Sequence, residues 1–138
     1  MSVKNYGDEQ LFELLVKIIF NEMLKGNVSI KAISSQMSLS CSQLNRRVKE
    51  ARGITVSEFV TQIRINEAKR LLAMPYKYTI GDVARMCGFA DTSHMGHVFR
   101  KKVGLSPSQY MESLDPPPYD LSKFIEEQVE KAEKNLGI

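Results

Sequence analysis

The 138-residue sequence predicts an all-α fold in which two similar helical units are joined by one long helix. Three observations predict this fold. Apolar residues recur at helical spacing along most of the chain, and no segment alternates apolar and polar residues with the β-branched enrichment typical of a strand. In addition, one pattern of turns and apolar positions occurs twice, about 50 residues apart.

The first helices are defined by their apolar spacing and by residues that stop or cap a helix. A helix is predicted over 8–25, with Asp8 as its N-cap and Gly26–Asn27 as its end. Two shorter helices follow over 29–37 and about 40–51.

A long helix is predicted over 56–74, with Thr55 and Ser57 as alternative caps and Pro75 at its end. Its apolar face changes halfway, which is expected of a helix that packs against a different body at each end; a single wide buried stripe is the alternative. The two sets are Val56, Phe59, Val60 and Ile63, then Ile65, Ala68, Leu71 and Leu72.

The short-helix pattern then returns. A helix over 79–87 has Thr79 as its cap and Asp82 three residues later, which is a capping box with Asp in place of Glu or Gln. Further helices are predicted over 91–103 and 106–113.

The two halves of the chain align as copies of one structural unit. Residues Ile30–Ser34 align with Ile80–Ala84 at an offset of 50, and after one inserted residue Gly53–Phe59 aligns with Gly104–Tyr110. A solenoid is excluded, because two copies are too few to stack.

Each unit consists of a short helix, a turn of three or four residues and a second helix with basic residues on its exposed side. This is the helix-turn-helix pattern, in which the second helix enters the major groove of double-stranded DNA. We predict the first unit over about 29–53, the linker helix over about 55–74 and the second unit over about 79–104.

In the second helix of each unit, the apolar residues that face the core identify the opposite face as the exposed one. The residues that face the core are Leu44 and Val48 in the first unit and Met95 and Phe99 in the second. Arg and Asn suit guanine and adenine edges, whereas Lys and Arg also bind phosphates. The positive charge of the second unit is displaced toward the C-terminus of its helix, so we expect the first unit to read sequence more strongly. The predicted phosphate contacts are Arg47, Lys49, Arg52, Arg100, Lys101 and Lys102.

Residues 8–113 resemble the DNA-binding domain of the AraC/XylS family of bacterial transcription regulators. The motifs that carry this resemblance are Arg64-x-x-x-Ala68-x-x-Leu71-Leu72, Ile80-x-x-Val83-Ala84-x-x-Cys87-Gly88-Phe89 and Phe99-Arg100-Lys101-Lys102-x-Gly104-Leu105-Ser106-Pro107-Ser108-x-Tyr110. The resemblance implies seven helices in two AraC-type, homeodomain-like units. The chain is then either a stand-alone regulator or the output fragment of a longer parent chain with an upstream sensory, dimerisation or receiver domain. The resemblance also implies base contacts at Ser42, Asn45, Arg46, Thr92, Ser93 and His97.

The charge of the chain is divided unevenly. Residues 1–113 hold 16 Lys and Arg against 10 Asp and Glu, a net charge of +6, whereas residues 114–138 hold 3 Lys against 6 acidic residues, a net charge of −3. A basic body favours an anionic partner.

The acidic C-terminal segment, 114–138, begins with a proline hinge and continues as an amphipathic helix. This helix either packs back on the domain or docks on a partner subunit or RNA polymerase. Its apolar residues are Leu121, Phe124, Ile125, Val129, Ala132 and Leu136.

Several classes of function are not supported by the sequence. Apolar runs such as 14–16 and 18–20 are far shorter than the roughly 20 residues of a membrane span, and the N-terminus carries no secretory signal. Two cysteines, Cys41 and Cys87, fit reduced thiols in a cytoplasmic protein. Neither has the spacing of a metal site with His94 and His97.

No phosphate-binding loop, nucleophile elbow or pair of carboxylates occurs, so we expect neither an enzyme nor a cofactor. The prediction is a sequence-specific output domain that binds a double-stranded DNA operator. The alternative is a helix-turn-helix module for protein interaction, which the weaker charge of the second unit favours.

Overall fold

The computed structural model describes residues 3–26 and 28–137, so the predicted stop at Asn27 lies outside the described residues. Within those ranges the chain forms eight α-helices and no strand, which confirms the all-α fold. A short 3-10 helix at Val3–Asn5 precedes them. The α-helices are α1 (Asp8–Leu24), α2 (Ile30–Gln36), α3 (Cys41–Arg52), α4 (Val56–Leu72), α5 (Ile80–Met86), α6 (Thr92–Val103), α7 (Pro107–Ser113) and α8 (Leu121–Leu136). Of the helices so described, none has the length and apolar character needed to cross a bilayer.

Side-chain caps set the starts of most helices. Ser29 Oγ accepts a hydrogen bond from the backbone N–H of Ala32 at 3.3 Å, and Thr55 Oγ1 accepts one from Glu58 N–H at 3.1 Å. The second of these identifies Thr55, rather than Ser57, as the cap of α4. Such caps satisfy backbone donors that a helix leaves unpaired in its first turn.

The predicted cap of α1 was wrong. Gly7, not Asp8, is the N-cap, and the side chain of Gln10 accepts a hydrogen bond from the Gly7 N–H at 3.3 Å. Asp8 is the first helical residue, where its negative charge interacts favourably with the helix dipole.

The long helix α4 buries apolar residues from both of its halves, which agrees with both of the arrangements considered for it. Phe59 lies in the first half and packs edge-on against Phe12 of α1, with ring centroids 5.2 Å apart. Ile65 and Leu72 are buried in the second half, whereas Ile63 is only partly buried. One continuous apolar core therefore includes residues from both units.

The two units repeat the same turn in detail. Leu39 N–H donates to the Ser34 carbonyl at 3.0 Å, and Phe89 N–H donates to the Ala84 carbonyl at 2.9 Å. The residue that precedes each donor has a left-handed backbone, with φ of 56° at Ser38 and 75° at Gly88. Each unit therefore holds its second helix at the same kind of turn.

Within the described ranges, the C-terminal helix α8 contacts the domain at its start alone. The ring of Tyr76 packs against Tyr119 and Phe124, with centroid distances of 5.6 Å and 4.4 Å, and Asp120 Oδ2 accepts a hydrogen bond from the Ile80 N–H at 3.0 Å. Every described residue of α8 after Phe124 is exposed. Of the two arrangements considered for this helix, packing back on the domain is therefore seen for its first turn, whereas the later turns are exposed.

Candidate nucleic-acid interface

Helix α3 has the arrangement predicted for the second helix of a helix-turn-helix unit. Its inward residues, Leu44 and Val48, are fully buried. The Ser40 side chain caps the helix by accepting from the Gln43 N–H at 3.1 Å, and Gly53 ends it with φ of 73°. The predicted contact residues on its exposed side are Ser42, Asn45, Arg46 and Lys49.

The Asn45 side chain is exposed but already makes a hydrogen bond within the protein. Its Oδ1 accepts from the backbone N–H of Val56, the first residue of α4, at 2.9 Å. A bidentate contact with adenine needs that same oxygen as an acceptor. In this structure, Asn45 therefore connects α3 to the linker helix, and one of the two lone pairs of its Oδ1 is already used within the protein.

Arg47, a predicted phosphate contact, is largely occupied by the N-terminal segment. Its Nη2 donates to the Tyr6 carbonyl at 2.8 Å and lies 3.6 Å from Asp8 Oδ1, and its side chain is only 20% exposed. The guanidinium of Arg52 lies 4.8 Å from the centre of the Phe12 ring, although Arg52 remains exposed. Both arginines thus contribute to packing between α1 and α3.

Helix α6 has the same architecture in the second unit. Met95 and Phe99 are fully buried, Asp91 caps the helix by accepting from the His94 N–H at 2.7 Å, and Gly104 ends it. The predicted contact residues Thr92, Ser93, His97, Arg100, Lys101 and Lys102 are all exposed.

Arg64 of α4 fixes the turn that precedes α6. Its Nε donates to the Cys87 carbonyl at 2.9 Å and its Nη2 donates to the Gly88 carbonyl at 2.7 Å, while the guanidinium lies 4.0 Å from the centre of the Phe89 ring. Burial lowers the pKa of Arg64 below its usual value. In the sequence Arg64 stands out only through the family motif, since its partners lie more than twenty residues away.

Helix α1 also approaches this turn closely. A Cβ atom added at Gly88 would lie 2.9 Å from Val28 Cγ2 and 3.2 Å from the Met23 Cα. Only a glycine at position 88 permits this approach. The second turn is therefore contacted both by α1 and by Arg64 of the linker helix. No sequence pattern in α1 indicates the contact.

The two cysteines have different surroundings. Burial raises the pKa of the Cys87 thiol to about 12, so it stays protonated as a core residue. Cys41 is exposed at the start of α3, with its Sγ 3.2 Å from Ser34 Oγ. Across residues 3–26 and 28–137, no three His, Cys, Asp or Glu side chains are grouped as metal ligands.

Comparison with known proteins matches a helix-turn-helix domain family over residues 33–113. The transcriptional activator RhaR of Pectobacterium atrosepticum is 38% identical over 82 residues, which are 59% of this chain and 28% of RhaR. The probable transcriptional regulator LumQ of Photobacterium leiognathi is 32% identical over 74% of this chain and 41% of LumQ. The chain therefore spans less than half the length of these curated relatives, which are transcription regulators rather than enzymes.

Solved structures share the fold. The C-terminal domain of the two-component response regulator yesN from Fusobacterium nucleatum superposes with a TM-score of 0.65 at 26% identity, covering 73% of this chain and 97% of that one. The DNA-binding domain of AdpA, solved in complex with a target DNA, gives a TM-score of 0.59 at 22% identity over 70% of this chain and 87% of that one. Since the family match covers more than half of the chain, the protein belongs to the AraC/XylS family as one of its helix-turn-helix DNA-binding domains.

Proposed function

We propose that this domain binds double-stranded DNA sequence-specifically by inserting α3 and α6 into successive major grooves, and thereby regulates transcription. The observation that carries this proposal is the duplication of the unit. Helices α3 and α6 both have 12 residues, both begin at a side-chain cap, and both end at a left-handed glycine.

The linker helix has a suitable length for this arrangement. With 17 residues, α4 spans about 26 Å at 1.5 Å per residue. Successive major grooves on one face of DNA are about 34 Å apart. A rod of this length between the two units supports the proposal that a single chain contacts both grooves.

The side chains favour different roles for the two recognition helices. In α3, Arg46 is exposed and is suited to a bidentate contact with guanine, while Ser42 lies one turn before it. In α6 the corresponding region has Thr92, Ser93 and His97, with the positive charges further along the helix. We propose that α3 supplies most of the base discrimination and that α6 relies more on phosphate and shape contacts.

Arg46→Ala is the direct test of base reading. Sites are first selected from a random DNA pool, and the binding of single-base variants of the best site is then measured. We expect a loss of about 1–3 kcal/mol and a relaxed preference at one base position. The control is Lys17→Ala on α1, which removes the same charge outside the proposed interface. An equal loss on every DNA sequence would show that Arg46 only contacts phosphate.

Salt dependence distinguishes DNA binding from the protein-interaction alternative. If four or five phosphates are neutralised, the slope of log affinity against log salt concentration is about −4. A module for protein interaction would bind the selected DNA no better than unrelated DNA, and the selection would return no common sequence.

We propose that binding of the domain to the selected site regulates transcription from a promoter that carries this site. Similarity to the C-terminal domain of the two-component response regulator yesN supports the proposal of an upstream receiver domain in a longer parent chain, and similarity to the transcriptional activator RhaR supports the proposal that the regulation is activation. Transcription in vitro with purified RNA polymerase tests this step. Operator-dependent activation is expected, and unchanged transcript levels at saturating protein would exclude it.

A further inference from the structure

Helix α8 is well delimited although most of it packs against none of the residues that the structure describes. Asp120 caps its first turn by accepting from the N–H groups of Ser122 and Lys123 at 2.8 Å and 3.3 Å, and Gly137 ends it with φ of 75°. Most of the stability of an amphipathic helix in a protein comes from packing of its apolar face rather than from helix propensity. Since its first turn alone contacts the described part of the domain, the later turns of α8 present an exposed face.

That face has the spacing of a coiled coil. Ile125, Val129, Ala132 and Leu136 follow intervals of four, three and four residues, which place them on one stripe at heptad positions d, a, d and a. Ile125 is 50% exposed, Val129 49% and Leu136 74%. A helix with this seam packs against a second helix of the same kind.

The residues that flank the stripe favour a parallel pair. In a parallel pair, Gln128 at position g faces Glu133 at position e of the second copy, which brings no like charges together. An antiparallel pair would instead place Glu126 of one copy near Glu133 of the other, and like charges would repel.

The opposite side of α8 is suited to water. Lys123, Glu127 and Lys131 follow one another at intervals of four residues, and so do Glu130 and Lys134. Oppositely charged residues at this spacing stabilise a helix on its solvent face. We propose that α8 pairs in parallel with α8 of a second copy of this chain, through the stripe Ile125, Val129, Ala132 and Leu136. The pairing is weak, because the stripe covers only two heptads.

Sedimentation equilibrium of the full 138-residue chain, without DNA, tests the pairing over roughly 1 μM to 1 mM protein. The wild type is expected to shift from monomer to dimer. Val129→Glu, which places a charge in the seam, raises the dissociation constant at least about tenfold. Lys134→Gln makes the same change in charge on the solvent face and leaves the dissociation constant unchanged. Circular dichroism checks that each variant remains helical.

Gln128→Lys tests the orientation. In the parallel pair, two new Lys–Glu contacts lower the dissociation constant about three- to fivefold. A monomer throughout the concentration range overturns the proposal. A dimer that Val129→Glu does not weaken, or that Gln128→Lys does not strengthen, overturns the parallel pairing of α8.

Discussion

At the scale of single residues, the two equivalent turns both need a residue with positive φ, but the residue at this position differs between them. Ser38 and Gly88 both adopt positive φ, which costs an L-residue roughly 1–2 kcal/mol relative to its preferred conformations. Ser38 is exposed, so its side chain has room, whereas Gly88 is buried against α1. The first turn therefore tolerates a side chain at this position and the second does not.

Gly88→Ala should lower the free energy of unfolding by about 2 kcal/mol or more, because the added methyl meets Val28 and the backbone of Met23. Ser38→Ala is the matched control, at a position whose backbone already carries a side chain; its effect should stay within about 0.5 kcal/mol. Urea denaturation measures both. Equal effects would contradict the close approach of α1 to the second turn.

Asp82 links the stability of the second unit to pH. Its carboxylate accepts from the Thr79 N–H at 3.0 Å, and this bond, with the one that Arg85 Nη2 donates at 2.7 Å, lowers the pKa of Asp82. A carboxyl whose pKa is lowered by folding stabilises the protein above its unfolded pKa, about 3.9, and this contribution is lost as the pH falls through the folded pKa.

Asp82→Asn should therefore destabilise the protein at pH 7 by about 0.5–1 kcal/mol, as the loss of a capping interaction does. The difference between variant and wild type should shrink as the pH falls below about 3.9. Denaturant titrations at several pH values measure this difference. A difference that is the same at every pH would show that ionisation of Asp82 does not stabilise α5.

At the scale of helices, much of the fold could be predicted from the sequence, because the signals that start and stop helices are local. Ser29, Ser40, Thr79 and Ser106 all cap helices that start within a residue or two of the predicted positions. The cap at Asp8 was wrong because Gly7 has no side chain to signal a cap, and only Gln10 indicates it.

The contacts that position the candidate interface could not be predicted in the same way. Asn45 bonds to the start of α4, and Arg64 bonds to carbonyl groups of a turn 23 and 24 residues further along. Such contacts depend on how helices cross, which local spacing does not determine. The exposed positions of α3 and α6 were predictable because they follow directly from the helical period.

Arg64→Gln tests whether α4 holds the second turn. We expect the free energy of unfolding to fall by about 1.5–3 kcal/mol, since two charge-assisted hydrogen bonds to buried carbonyl groups are lost. Arg70→Gln on the same helix is the control, because Arg70 is exposed and pairs with Glu67 three residues earlier; its effect should be much smaller than that of Arg64→Gln. Thermal unfolding measures both variants. Equal stability losses would contradict the role assigned to Arg64.

At the scale of the whole molecule, α1 and α4 unite the two units. Both helices contribute to the continuous core, and both approach the turn before α6. This packing favours a fixed relation between the two recognition helices, which a flexible tether would not provide. Simultaneous insertion of α3 and α6 into two grooves depends on that fixed relation.

The most direct test is to insert five base pairs, about half a helical turn, between the two halves of the selected DNA site. If α4 holds α3 and α6 in a fixed relation, the two helices can no longer enter both grooves, and affinity should fall at least about a hundredfold, to that of one half-site. An electrophoretic mobility shift titration measures this change. An unchanged affinity on the lengthened site would contradict the account.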